Sequence, residues 1–142
     1  MEKSFNHMKT VETPLAYYIP PKTVKHSQEV LTNCYHKHTR AVMPGKLFSF
    51  PDYPGVSFFV FRDTSGNKLW KVRESSTGIK AGTGYGQDTQ AAAIREQWDL
   101  MEAMRQSKAG AGRHSYVLEQ FSKCIASHFD RLNAQDNASK AA

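Results

Sequence analysis

The stretch from Val56 to Glu74 constrains the fold more than any other part of the chain. Val56-Ser57-Phe58-Phe59-Val60-Phe61-Arg62 is dense in β-branched and aromatic residues, the types that fit a pleated surface. Asp63-Thr64-Ser65-Gly66-Asn67 then supplies concentrated turn chemistry. Lys68-Leu69-Trp70-Lys71-Val72-Arg73-Glu74 follows with period two, so Trp70 and Val72 face one way and Leu69, Lys71 and Arg73 the other. A second turn, Ser75-Ser76-Thr77-Gly78, leads into Ile79-Lys80-Ala81-Gly82-Thr83-Gly84, expected as a short third strand. The expectation is a three-stranded antiparallel meander.

A helix should follow. Asp88 is a suitable N-cap for Thr89-Gln90-Ala91-Ala92-Ala93, and Ala91, Ile94, Trp98 and Met101 fall on one helical face. The helix should end near Gln106, before Ala109-Gly110-Ala111-Gly112. The fold class expected is α+β: a three-stranded antiparallel sheet packed on a helix, with flanking N- and C-terminal helices. If Trp70 and Val72 pack on Ile94 and Trp98, then Lys71 and Arg73 stand on an open face. Strand one is aromatic in both rows (Val56, Phe58, Val60 and Ser57, Phe59, Phe61), so it does not settle its own orientation. Lys80 faces opposite to Ile79 and Ala81.

The flanks read as follows. Residues 1–22 carry Pro14, Pro20 and Pro21 and read as an extended arm. Val24, Leu31, Tyr35 and Val42, with Thr23 as N-cap, predict a helix over residues 23–42 that Pro44-Gly45 ends. Val117, Leu118, Phe121, Ile125, Phe129 and Leu132 form one apolar stripe, predicting a helix over residues 115–133. That helix either completes the core against residues 23–42 or forms a homodimer interface. Residues 134–142 read as a frayed tail. The organisation expected is an arm and helix (1–45), a sheet module (46–107), a C-terminal amphipathic helix (113–133) and the tail.

Charge divides unevenly along the chain. The formal net charge is +6, from 19 Lys and Arg against 13 Asp and Glu. Residues 1–45 and 46–80 each carry +3, and residues 81–142 carry none of the excess. A basic surface therefore belongs to the first 80 residues, which fits an anionic partner such as nucleic acid. An antiparallel sheet with a basic, aromatic-interleaved face can enter the DNA major groove, and cations at its rim gain counterion-release energy.

The same segment resembles a known family. Tyr53-Pro54-Gly55-Val56, Leu69-Trp70-Lys71-Val72-Arg73, Ala81-Gly82-Thr83-Gly84-Tyr85 and Asp88-Thr89-Gln90-Ala91-Ala92-Ala93 look like the AP2-type DNA-binding domain. A similar sheet-plus-helix unit occurs in the arm-binding domains of phage and transposon integrases. The resemblance covers residues 53–105. It implies a sheet lying in the major groove of double-stranded DNA, with contacts from Trp70, Lys71 and Arg73 on strand two and Lys80 on strand three. The helix opening lacks the family's Glu, and Phe58, Phe59 and Phe61 replace the plant-type arginines of strand one, so no base preference carries over. Trp70 has two readings. The facing argument makes it core, whereas plant-type members expose the matching Trp. Ser57, Phe59, Phe61 and Lys68 complete the expected face, and Lys25, Lys37 and Arg40 would hold neighbouring phosphates. The implied role is a phage or mobile-element transcriptional regulator, most simply a repressor.

Other chemistries find less support. Cys34-x-His36-x-His38 and Cys124-x-x-x-His128 contain metal-ligating types, but no Cys-x-x-Cys accompanies them. Gly82-x-Gly84-x-Gly86 lacks the Lys-Ser/Thr of a phosphate loop. No His-Asn-His pattern or carboxylate cluster points to a nuclease, so a non-enzymatic protein without cofactor is expected. Two cysteines and the absence of an apolar leader or an 18-residue apolar run point to a reducing cytoplasm and no membrane span. Two alternatives remain: a basic module whose open face docks on a protein or on its own arm, and an RNA binder stacking bases on Phe59 and Phe61.

Overall fold

The computed structural model describes residues 17–34, 37–64, 68–81 and 86–141, with side chains left aside at 31–39 and 139–141. Its elements are β1 (Val24–Cys34), β2 (Lys37–Phe48), β3 (Phe58–Arg62), β4 (Trp70–Glu74), α1 (Gln90–Arg105) and α2 (His114–Ala141). The fold is α+β. One antiparallel sheet runs in the order β1-β2-β3-β4, and two helices follow it.

The largest departure from expectation is the N-terminal third. Residues 23–42 are not a helix; they belong to a long hairpin in which Val24 pairs with Leu47 and Cys34 with Lys37. Two of the four residues read as a helical face are open to solvent, Val24 at 64% and Val42 at 70%. The apolar side chains that matter alternate instead: Val30 on β1, then Ala41, Met43 and Leu47 on β2. Their cover is distant in sequence, the rings of Phe59 and Phe61. Pro44-Gly45 does not end the element. Pro44 has no N–H to donate, and it falls where β2 has passed its last β3 partner, the Gly45–Phe61 pair. The boundary expected between residues 45 and 46 therefore lies inside β2.

Only the β3–β4 half of the hairpin's neighbourhood is flat pairing. Beyond Gly45 the hairpin curls over the sheet. Gln28 Nε2 donates to the Ser75 carbonyl at 2.9 Å, and the Glu29 carbonyl and Val30 Cα lie against Gly78. Glu74 holds that receiving turn. It is buried, and its carboxylate accepts from the backbone N–H groups and hydroxyls of Ser76 and Thr77. Gly78 has φ +73°, which glycine adopts without strain.

The sheet thus has a cover on each face. On one, Phe48, Phe58 and Val60 pack with Phe50, Tyr53 and Val56 against Ala93, Ile94, Trp98 and Met101 of α1 and Val117 of α2. Trp70 and Val72 pack on this cluster, as the alternation of strand two requires. On the other, the curled hairpin seals Phe59 and Phe61.

Of the expected third strand, residues 79–84, the described part meets β4 at one isolated bridge, Arg73 with Lys80, and residues 82–85 lie outside the described residues; a second bridge, Trp70 with Gln87, falls beyond that segment. Helix α1 is capped by Thr89 rather than Asp88, the Thr89 hydroxyl accepting from Ala92 N at 3.1 Å. Ala93 is buried in place of Ala91, which is exposed. Helix α2 completes the core against α1 and Phe58 of β3, with the Phe121 and Phe58 ring centroids 5.6 Å apart, and none of the described core residues of 23–42 belongs to that cluster. It continues as helix through residues 134–141, since Ala, Gln, Asn and Lys offer no glycine or proline to stop it.

One buried polar network ties the layers together. Tyr53 donates its hydroxyl to Glu102, and Arg105 pairs with both carboxylate oxygens of Glu102 at 3.0 and 2.7 Å. Arg105 also donates to the Gly112 carbonyl at 3.1 Å, joining α1 to the turn before α2. Burial works to raise the Glu102 pKa, but the hydrogen bonds from Arg105 and Tyr53 outweigh it and hold the carboxyl below its ordinary value. The ionised form is thus favoured by folding, so its contribution is present above the ordinary carboxylate range and is lost as pH falls through the lowered value.

Two stability predictions follow from this packing. A Cβ at Gly45 would collide with the Val60 carbonyl and lie 2.8 Å from the Phe59 ring. Gly45→Ala should cost about 1–3 kcal/mol, read as a lower denaturant midpoint at unchanged slope. Glu102→Ala strands the buried Arg105 guanidinium and should cost about 3–5 kcal/mol. Its stability should also respond less to acid than that of the parent chain, measured by thermal melts from neutral pH downward.

Candidate nucleic-acid interface

The expected sheet face is not an open surface. Phe59 and Phe61 are 0% exposed and stack with centroids 5.6 Å apart at 16° between planes. Arg73 is buried, with its guanidinium 5.4 Å from the Phe61 centroid, and burial lowers its pKa. Lys71 Nζ meets Asp63 Oδ2 at 2.9 Å, and Asp63 is fully buried. These four side chains share the face sealed by the β1–β2 hairpin, which corrects the expectation that they line an exposed groove-reading surface. The cover comes from the segment for which the spacing of Val24, Leu31, Tyr35 and Val42 predicts a helix.

The remaining residues scatter. Ser57 is half-buried, and its carbonyl accepts from Ser75 N at 2.9 Å. Lys68 is exposed at φ +65° in the β3–β4 connection. Lys80 is exposed beside β4. Arg40 is exposed and sits 3.3 Å from Glu29 across the hairpin, a surface pair of small energetic worth. Lys37 is placed on β2 by its backbone alone. Lys25 is exposed on β1, and Trp70 is half-buried, with one side on the core.

Lys25 and Trp70 do come together, in a groove that strand alternation could not reveal. The groove has a volume of about 920 Å³ and is lined by Lys25, His26, Lys46, Arg62, Trp70 and Gln90, among others, with no carboxylate among the described residues of its wall. Its construction follows from register. Lys25 pairs directly with Lys46, and Lys46 with Val60. Directly opposed residues point to one side, and Val60 faces α1. Arg62, two residues on, faces the same way and pairs with Trp70. Three cations are thereby set on the α1 side of three adjacent strands, near the first turn of α1 at Gln90. Like charges directly opposed across a pair are unfavourable. Among the described residues, none of the three has a carboxylate within ion-pair distance.

Lys46 and Arg62 were not among the residues singled out from sequence. Both were visible as basic residues, but only the Lys25–Lys46 and Lys46–Val60 pairings show that they converge with Lys25. The cysteine and histidine candidates do not converge in what is described. Cys34 and His38 are placed by backbone alone, and His36 lies outside the described residues. On α2, Cys124 is exposed while His128 is buried. Among the described residues, no three His, Cys, Asp or Glu side chains cluster. No described helix is long and apolar enough to cross a membrane.

Comparison with known proteins adds no relative: no family model, no curated protein and no solved structure matches the chain.

The burial of the aromatic row gives a direct check on this assignment. Phe59→Ala should lower stability by about 3–5 kcal/mol, the cost of emptying a sealed aromatic site, measured by urea unfolding. A stable, soluble Phe59→Ala protein with an unchanged midpoint would mean that the hairpin does not cover the face.

Proposed function

We propose that this chain is a non-enzymatic protein that binds double-stranded DNA through the groove between the β1–β2 hairpin and the start of α1. The observation that carries the reading is the set Lys25, Lys46 and Arg62, gathered in one groove with no carboxylate among its described lining residues. Such a set costs folding energy in isolation and is relieved by a polyanion, which releases counterions as it is neutralised. The concentration of the +6 net charge in the first 80 residues supports it. The resemblance of residues 53–105 to AP2-type domains supports duplex DNA as the polyanion, with contacts from Lys25, Lys46 and Arg62 on the α1 side of the sheet in place of Lys71 and Arg73. A transcriptional regulator, most simply a repressor that occludes a promoter, is the role this reading carries.

Salt titration of binding to a random duplex tests it. Neutralising three phosphates predicts that Lys25→Ala with Lys46→Ala and Arg62→Ala lowers the slope of log K against log salt by about 3. The loss should be uniform across sequences, with the fold unchanged by circular dichroism, because none of the three side chains is in the core. An unchanged slope in that variant would overturn the groove. A preference for single strands that is lost in Trp70→Ala would replace duplex DNA with stacked, unpaired bases.

A further inference from the structure

Helix α2 is longer than the body it packs on. Its first half is anchored, with Val117 buried and Phe121 against Phe58. The apolar residues of that half continue through Ile125, Phe129 and Leu132, which follow Phe121 at spacings of four, four and three residues, with the buried His128 among them. Exposure rises along it, from half-buried Ile125 to Phe129 at 43% and Leu132 at 38%. Beside Phe121 and Ile125 lies a small, mostly apolar cleft of about 180 Å³, whose lining also includes Ile79, Met104, Lys80 and Glu74.

The charges around this strip indicate what covers it. The next residue on the same face, four beyond Leu132, is Asp136, which is exposed. At the opposite end of the strip the cleft carries the exposed Lys80. One end thus carries Asp136, and the other carries Lys80 beside Glu74, whose carboxylate is already held by Ser76 and Thr77. An antiparallel pairing of two such helices that sets Ile125 of each against Leu132 of the other brings the two Phe129 rings close to the two-fold axis. The same register places Asp136 of each copy opposite Phe121 of the other, beside Lys80. The strip is therefore self-complementary under a two-fold axis, which is the requirement for an isologous dimer. The C-terminal segment after residue 80 carries no net charge, so two copies meet there without repulsion.

We propose that a second copy of this chain occupies the strip, in an antiparallel α2–α2 dimer closed by Asp136 to Lys80 contacts at both ends. This proposal is independent of the DNA reading, because the strip shares no residue with the basic groove. Sedimentation equilibrium of the full chain over a concentration series is the test. The parent chain should sediment as a dimer at high concentration and dissociate on dilution. Phe129→Glu with Leu132→Glu lies outside the described core, so the protein should keep its helix content and melting profile while its dimer dissociation constant rises by at least about tenfold. Lys80→Glu alone and Asp136→Lys alone should each weaken the dimer, and the two combined in one chain should restore it. A parent chain that stays monomeric throughout overturns the proposal. So does a dimer that survives Phe129→Glu with Leu132→Glu, or a double charge reversal that fails to restore association.

Discussion

The stacked pair Phe59–Phe61 governs the architecture. A strand with aromatic side chains in both rows cannot leave either face wet, because each such ring withdraws 150–250 Å² from water when buried, by general estimate about as much as any side chain can. One row, Phe58 and Val60, is met by α1. The other needs a second cover, and the chain supplies it by extending β1 and β2 past the end of β3 and bending them back over the sheet. The turn at residues 75–78, Gly45 at the crossing, and the buried Arg73 over Phe61 all serve or result from that closure.

The parts legible in the sequence were those whose partners lie nearby. The alternation of Trp70 and Val72 placed β4 correctly against α1, and the spacing of Ile94, Trp98 and Met101 gave the buried face of that helix. The stripe from Val117 to Leu132 located α2. The hairpin was not legible, for a physical reason. Val24, Leu31, Tyr35 and Val42 fit helical spacing, while the alternating row His26, Gln28 and Val30 is mostly polar and looks like nothing in isolation. Its meaning lies in rings some 30 residues away in sequence. The same gap hid the groove. Lys46 and Arg62 carry no signal of convergence until the register of β2 against both neighbours is known.

The basic residues consequently meet two fates. Lys71 and Arg73, the pair that alternation assigned to a surface, are sequestered, one against Asp63 and the other over an aromatic ring. Lys25, Lys46 and Arg62 are left facing a groove. Facing derived from one strand identifies which residues share a side, and it does so correctly here. It does not say whether that side is wet, which depends on what the rest of the chain lays across it.

The bond from Gln28 to the Ser75 carbonyl spans 47 positions of sequence. The contact is non-local and ties β1 to the turn after β4, which Glu74 holds through the N–H groups of Ser76 and Thr77. Contacts of such separation carry a loop-closure cost that local pairing and helix formation do not. Before closure Phe59 and Phe61 are bare on a nascent two-stranded sheet, the condition in which a chain adheres to others of its kind. The groove and the seal over the aromatic row share one element, since the hairpin that sets Lys25 beside Lys46 also covers Phe59 and Phe61, so unseating it would scatter the cations and bare the stickiest surface together.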